Sequence, residues 1–191
     1  MRVCVFAASS SRIDEEYRSV ATSLGMLFAS SGIELVYGGG GIGLMGKLAD
    51  SVLAGGGKVT GVIPEFMQKE GWGHNNLTSM IVTRDMSERK NRMFALSDAV
   101  VALPGGVGTL EELTEAITLK QLSLYYGPII ILNTLGYYDS FLGFIDHMVK
   151  TGFMRFEHKG IWEVVSKPEE VITALNNKDR GHEEWRKIAK I

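Results

Sequence analysis

Short apolar runs alternate with amphipathic stretches along almost the whole chain, and few folds accept that pattern. "RVCVFAA" (2–8), "IELVY" (33–37), "KVTGVI" (58–63), "MIVT" (80–83), "DAVVALP" (98–104), "PIIIL" (128–132) and "IWEVVS" (161–166) read as strands. Helical spacing fills residues 14–31, where Tyr17, Val20, Leu24, Leu27 and Phe28 recur on one side. It returns over about 44–53, 87–96, 109–124 and 138–150, and again after Lys167-Pro168, with Ser87 expected to cap its helix. Residues 65–80 read as an irregular loop near a site. Strand following helix throughout predicts an α/β fold: a single-domain, Rossmann-like, doubly wound parallel sheet with helices on both faces. Continuously apolar strands fit a sheet covered on both sides.

The length of 191 residues suits one domain, expected over residues 1–178, with a charged tail over 179–191. A formal net charge of −2 gives no reason to expect nucleic acid or an anionic membrane surface as partner. No apolar run approaches the roughly 20 residues that cross a bilayer, and the start of the chain has no signal-peptide pattern. Cys4 is the single cysteine and lies in an apolar strand, so it reads as buried filler in a reducing, cytoplasmic protein. His74, His147, His158 and His182 are too scattered for a zinc site.

Two glycine loops follow strands, where ligands of such sheets bind. The first, "YGGGGIGLMGKLAD" (37–50), nearly matches two phosphate motifs. Gly41, Gly43 and Gly46 have dinucleotide-fingerprint spacing, and Glu65 stands near the offset of a ribose-binding acid. The loop follows the second strand rather than the first, however, and Pro64 has already ended the third. Gly41 to Lys47 have P-loop spacing, but Leu48 stands where a magnesium-binding hydroxyl is needed. Glycine packing alone explains one or two of these positions. A run of four beside a helix N-terminus also admits a ligand.

The second loop, "LPGGVGTLEELTEAITLKQ" (103–121), says more. Gly105, Gly106 and Gly108 let the backbone approach a ligand. Thr109 is expected to open a helix whose free amides favour an anion, most simply a phosphate. Glu111, Glu112 and Glu115 follow, either as a solvated acidic face or beside the sugar of a nucleotide. Arg89 and Lys90 precede this strand, pointing about 100° apart on a helix.

Taken in order, "YGGGGIGLMG", "M-x-E-R-K" and "PGGVGTLEE" resemble the LOG (Lonely Guy) family of cytokinin riboside 5′-monophosphate phosphoribohydrolases, long labelled lysine decarboxylases. The P-G-G-x-G-T-x-x-E motif is complete in Pro104, Gly105, Gly106, Gly108, Thr109 and Glu112. The resemblance runs from Val3 to about residue 135. It implies a Rossmann-like homodimer that splits a purine nucleoside 5′-monophosphate into free base and ribose 5-phosphate, without metal or cofactor. Arg89 and Glu112 would be its catalytic pair. Lys90, Pro104, Gly105, Gly106, Val107, Gly108, Thr109, Leu110, Glu111 and Thr118 would line the nucleotide site. Glu70 matches a ligand-contacting glutamate, and Ser9, Ser10, Gly40 and Gly41 would form further walls. Val107 replaces a frequent Tyr, and "AASSS" a typical "CGSS".

Other function classes leave their own marks. A carrier that binds a mononucleotide without chemistry would use the same loops. A pyridoxal-dependent decarboxylase would need Lys47 or Lys90 as its Schiff base. An NAD oxidoreductase would need a hydride-transfer partner that no residue supplies.

Overall fold

The computed structural model describes residues 1–177; the expected end of the domain at 178 and the charged tail lie outside the described residues. The elements run β1 (Arg2–Phe6), α1 (Glu15–Ser30), β2 (Glu34–Tyr37), α2 (Gly43–Ala54), β3 (Val59–Pro64), α3 (Glu65–Lys69), β4 (Ser79–Thr83) and α4 (Met86–Ala95). They continue with β5 (Ala99–Ala102), α5 (Val107–Gln121), β6 (Ile129–Leu132), α6 (Asp139–Lys150), β7 (Trp162–Val165) and α7 (Pro168–Asn176). The seven strands form one sheet in the order β4-β3-β2-β1-β5-β6-β7, every pair parallel.

Each central strand is apolar on both faces because both are covered. Val3, Val5, Val101, Leu103, Ile130 and Leu132 face a core closed by α1, α2 and α7. Their neighbours Cys4, Phe6, Val100, Ala102, Ile129 and Ile131 face a second core with Met93 of α4, Leu113 and Ala116 of α5 and Ile145 of α6. The two-residue period of a strand thus divides one run of valines and isoleucines between two cores.

The chain builds outward from β1 through β2 and β3 to β4, then returns to lay β5 on the other side of β1. That reversal opens a crevice beyond the carboxyl ends of β1 and β5. A cavity of about 290 Å³ sits there, lined in part by Ser10, Arg12 and Tyr17 from the β1 side and by Pro104, Gly105 and Gly106 from the β5 side.

Three local expectations need correction. Asp85, not Ser87, caps α4: its carboxylate accepts the Glu88 N–H at 2.8 Å, while Glu88 reaches back to the Arg84 N–H at 3.0 Å. Asp85 lies three residues before Glu88, the reach a cap needs, whereas Ser87 is already inside the helix. Residues 65–80 are not wholly irregular: they hold α3, and Gly73 makes an antiparallel bridge to Gly40. Thr109 does not open its helix. α5 begins at Val107, and Thr109 is buried in the first turn.

Candidate active site

The two glycine loops do different work. Where the first meets α2, the main chain takes up two of the amides: Gly41 N–H donates to Trp72 O and Met45 N–H to Ala8 O, both at 3.2 Å. An ideal Cβ at Gly43, where φ is 71°, would stand 2.6 Å from Ala8 O. The loop is packed against the segment after β1. Lys47 is exposed on α2 and Leu48 is wholly buried in the core, so the P-loop spacing reflects packing. Glu65 pairs with Lys69 at 2.9 Å on α3, already past the end of β3.

α5 presents the open helix N-terminus. Gly106, Val107 and Gly108 are exposed, Val107 at 83%. The first-turn amides have no carbonyl one turn back, and no side chain caps them. Such an end attracts an anion.

Glu112 lies one turn inside this end, 8% exposed. Arg89, from α4, is equally buried; its Nη1 donates to Glu112 Oε1 at 2.9 Å and its Nε to Val62 O at 3.0 Å. Glu112 Oε2 has no hydrogen bond among the described residues, leaving one carboxylate oxygen for water or a sugar. Burial pushes the Glu112 carboxyl above the usual carboxylate range, and the Arg89 charge opposes but does not cancel that rise. A buried carboxylate is retained here because an arginine with two fixed hydrogen bonds faces it.

Gly38 is one residue that sequence reasoning missed. A Cβ there would overlap Arg89 Nη2. The first glycine loop therefore contributes to the pair by making room for its guanidinium. The signal lay in the "YGGGG" run, but its cause is a side chain about fifty residues away in sequence.

The other expected residues fall into groups. Lys90 is clasped by Glu111 and by Glu115, the latter at 2.9 Å. Its partial burial lowers its pKa, but the two carboxylates outweigh burial and the net shift is upward. The acidic run on α5 is thus neither a bare solvated face nor wholly free for a sugar. Ser10 lines the cavity, as do Pro104, Gly105 and Gly106; Ser9 packs beside Gly43, and Leu110 against the second core. Glu70 is exposed at the end of α3, and no hydrogen bond or ion pair among the described residues joins it to the Arg89–Glu112 pair. Thr118 stands nine residues beyond Thr109, roughly 13 Å along the helix, on an outer stripe with Val107, Glu111, Thr114 and Leu122. It is not among the residues that line the cavity beyond β1 and β5.

Comparison with known proteins gives this geometry relatives. Residues 45–175 match the family described as "Possible lysine decarboxylase". The cytokinin riboside 5′-monophosphate phosphoribohydrolase LOG1 of Arabidopsis thaliana is 42% identical over 184 residues, 95% of this chain and 85% of that protein. The probable phosphoribohydrolase LOGL9 of Oryza sativa subsp. japonica is 46% identical over 169 residues, 88% of this chain and 73% of that protein. Among solved structures, the molybdenum cofactor carrier protein of Chlamydomonas reinhardtii has the same fold, with a TM-score of 0.68 at 24% identity, covering 91% of this chain and 94% of its own. With the glycine loops, the arginine–glutamate pair and these identities in view, the chain belongs to the LOG family of cytokinin riboside 5′-monophosphate phosphoribohydrolases.

Proposed function

We propose that this protein hydrolyses the N-glycosidic bond of a purine nucleoside 5′-monophosphate, releasing the free base and ribose 5-phosphate. The observation that carries this reading is the spacing on α5. An open helix N-terminus suited to a phosphate and a buried, arginine-paired carboxylate are one turn apart. The first-turn amides over 106–109 hold the phosphate. Breaking the bond to the base leaves positive charge on the ribose ring, as in other glycosidic cleavages. Glu112 stabilises that charge and orients the attacking water through its second oxygen. Arg89 stays charged and does not act as a proton donor. It holds Glu112 in place and supports the departing base. The reaction consumes one water, whose hydroxyl joins the ribose while its proton goes to the base.

The relatives named above are phosphoribohydrolases of cytokinin riboside 5′-monophosphates, which supports AMP or an N6-substituted AMP as substrate. Assembly as a homodimer through the outer stripe of α5 would explain the distance of Thr118 from its own chain's phosphate loop: it would serve the site of a second copy. A reducing cytoplasm suits the lone buried Cys4. Chromatography after incubation with AMP, isopentenyl-AMP and adenosine tests the reading. Free base from the monophosphates and not from adenosine is the expected result. Binding of AMP with no base released from any substrate would leave a nucleotide carrier instead.

A further inference from the structure

Tyr137 and Tyr138 are neighbours in the chain, and their hydroxyls donate to carbonyls on either side of Pro104. Tyr138 Oη bonds Leu103 O at 2.6 Å and Tyr137 Oη bonds Gly105 O at 2.7 Å. The segment they hold leads from β5 into the open end of α5. Pro104 has no N–H to donate, and its carbonyl accepts the Ala8 N–H at 3.2 Å, so the next peptide, Gly105–Gly106, is left for Tyr137 to fix.

The turn that delivers both tyrosines is built at a cost. Leu135 has φ 53° although it is 70% exposed. A left-handed backbone costs such a residue about 1–2 kcal/mol, and burial returns little of it. Asn133 braces the turn, accepting the Tyr138 N–H on Oδ1 and donating from Nδ2 to Asp139, both at 2.7 Å. The Tyr137 ring packs edge-on against Tyr17, with centroids 5.9 Å apart, and forms part of the crevice cavity wall.

A peptide group is planar and trans, so the carbonyl of Gly105 and the N–H of Gly106 point in opposite directions in one rigid unit. Fixing the carbonyl fixes the amide. Between two glycines that unit is otherwise easily rotated. We propose that Tyr137 is a positioning residue: by holding Gly105 O it turns the Gly106 amide away from itself, toward the phosphate of the substrate, while Tyr138 anchors the strand end behind it. This rests on the phosphate reading of the α5 N-terminus. The two hydroxyls differ in environment. Tyr138 and Leu103 are buried, so losing their bond strands a buried carbonyl. Tyr137 is 45% exposed, so water replaces its bond without restoring the orientation.

The test is Tyr137→Phe beside Tyr138→Phe, with three readouts: kinetics on AMP, calorimetric binding of ribose 5-phosphate, and melting temperature. Tyr137→Phe is expected to raise KM for AMP and Kd for ribose 5-phosphate about three- to tenfold, the loss of one hydrogen bond. Its effect on KM exceeds that on kcat, and melting shifts little. Tyr138→Phe is expected to lower the melting temperature by several degrees, with the smaller change in Kd. Unchanged ribose 5-phosphate binding in Tyr137→Phe overturns the proposal, as does weakening that merely tracks lost stability in both variants. A wild-type protein that does not bind ribose 5-phosphate also overturns it. Calorimetry needs no turnover. A wild type that binds ribose 5-phosphate but releases no base defeats the hydrolase reading alone, with the Tyr137 comparison still readable.

Discussion

Glu112 brings together the chemistry proposed for this protein, and its environment determines how activity depends on pH. Burial raises its pKa above the ordinary 4.5, and Arg89 partly opposes that rise. The carboxylate is the working form, so activity falls as pH drops through the raised pKa. The acid limb of kcat/KM is expected above pH 4.5. Removing the Arg89 charge, as in Arg89→Met, leaves only the weaker Lys90 charge against burial and moves the limb higher, which a pH–rate profile on AMP measures. A limb that stays in place or moves down would show that the two groups are not coupled in this way. Glu112→Gln cannot ionise. It should lose at least about 10²-fold in rate, keep its affinity for ribose 5-phosphate and show no Glu112 limb. Retained full activity would remove Glu112 from the role proposed for it.

At the scale of elements, the first glycine loop makes two separable contributions. Gly43 accommodates backbone: with φ at 71° and Ala8 O in the way, Gly43→Ala must move β1's loop or α2. A loss of about 2 kcal/mol or more is expected in urea unfolding. Gly38 accommodates a side chain. The added methyl of Gly38→Ala meets the far end of Arg89, which can swing aside. Glu112 then loses its buried partner, so stability falls as well, and base release drops at least about tenfold as the guanidinium leaves Glu112. Full base release from Gly38→Ala would refute this division. The contrast also shows what the sequence could tell. Alternating apolar runs determine the parallel sheet because a strand covered on both faces has little choice of composition, and "PGGVGTLEE" places an open helix end beside a carboxylate. Local spacing could not reveal that the Gly41 amide is taken by Trp72, that Glu111 and Glu115 clasp Lys90, or that Tyr137 reaches Gly105. Each of these depends on which distant segment the fold brings near. The cap at Asp85 was within reach, since Asp three residues before Glu88 is a capping spacing visible in the chain.

For the whole molecule, the outer stripe of α5 is an exposed feature that no other element covers among the described residues. Val107, Thr114, Thr118 and Leu122 recur at helical spacing on its exposed side, and Leu124 extends the stripe past the helix end. Thr114 and Thr118 donate their hydroxyls back to carbonyls of their own helix at 2.8 Å, which offers methyl groups outward. Glu111 is the one charge on the stripe, and Lys90 partners it. Small, methyl-bearing side chains along a straight helix suit close approach of a second, identical helix, and a two-fold axis across the stripe makes the contact self-complementary. Such a dimer would bring Thr118 of each copy toward the phosphate loop of the other. Sedimentation velocity at micromolar concentration is expected to give the mass of two chains. Thr118→Arg sets two like charges near the axis and should yield a single chain that melts cooperatively but releases base far more slowly. Monomeric wild-type protein, or a Thr118→Arg monomer with full activity, would mean that each chain carries a complete site and that Thr118 has no part in it.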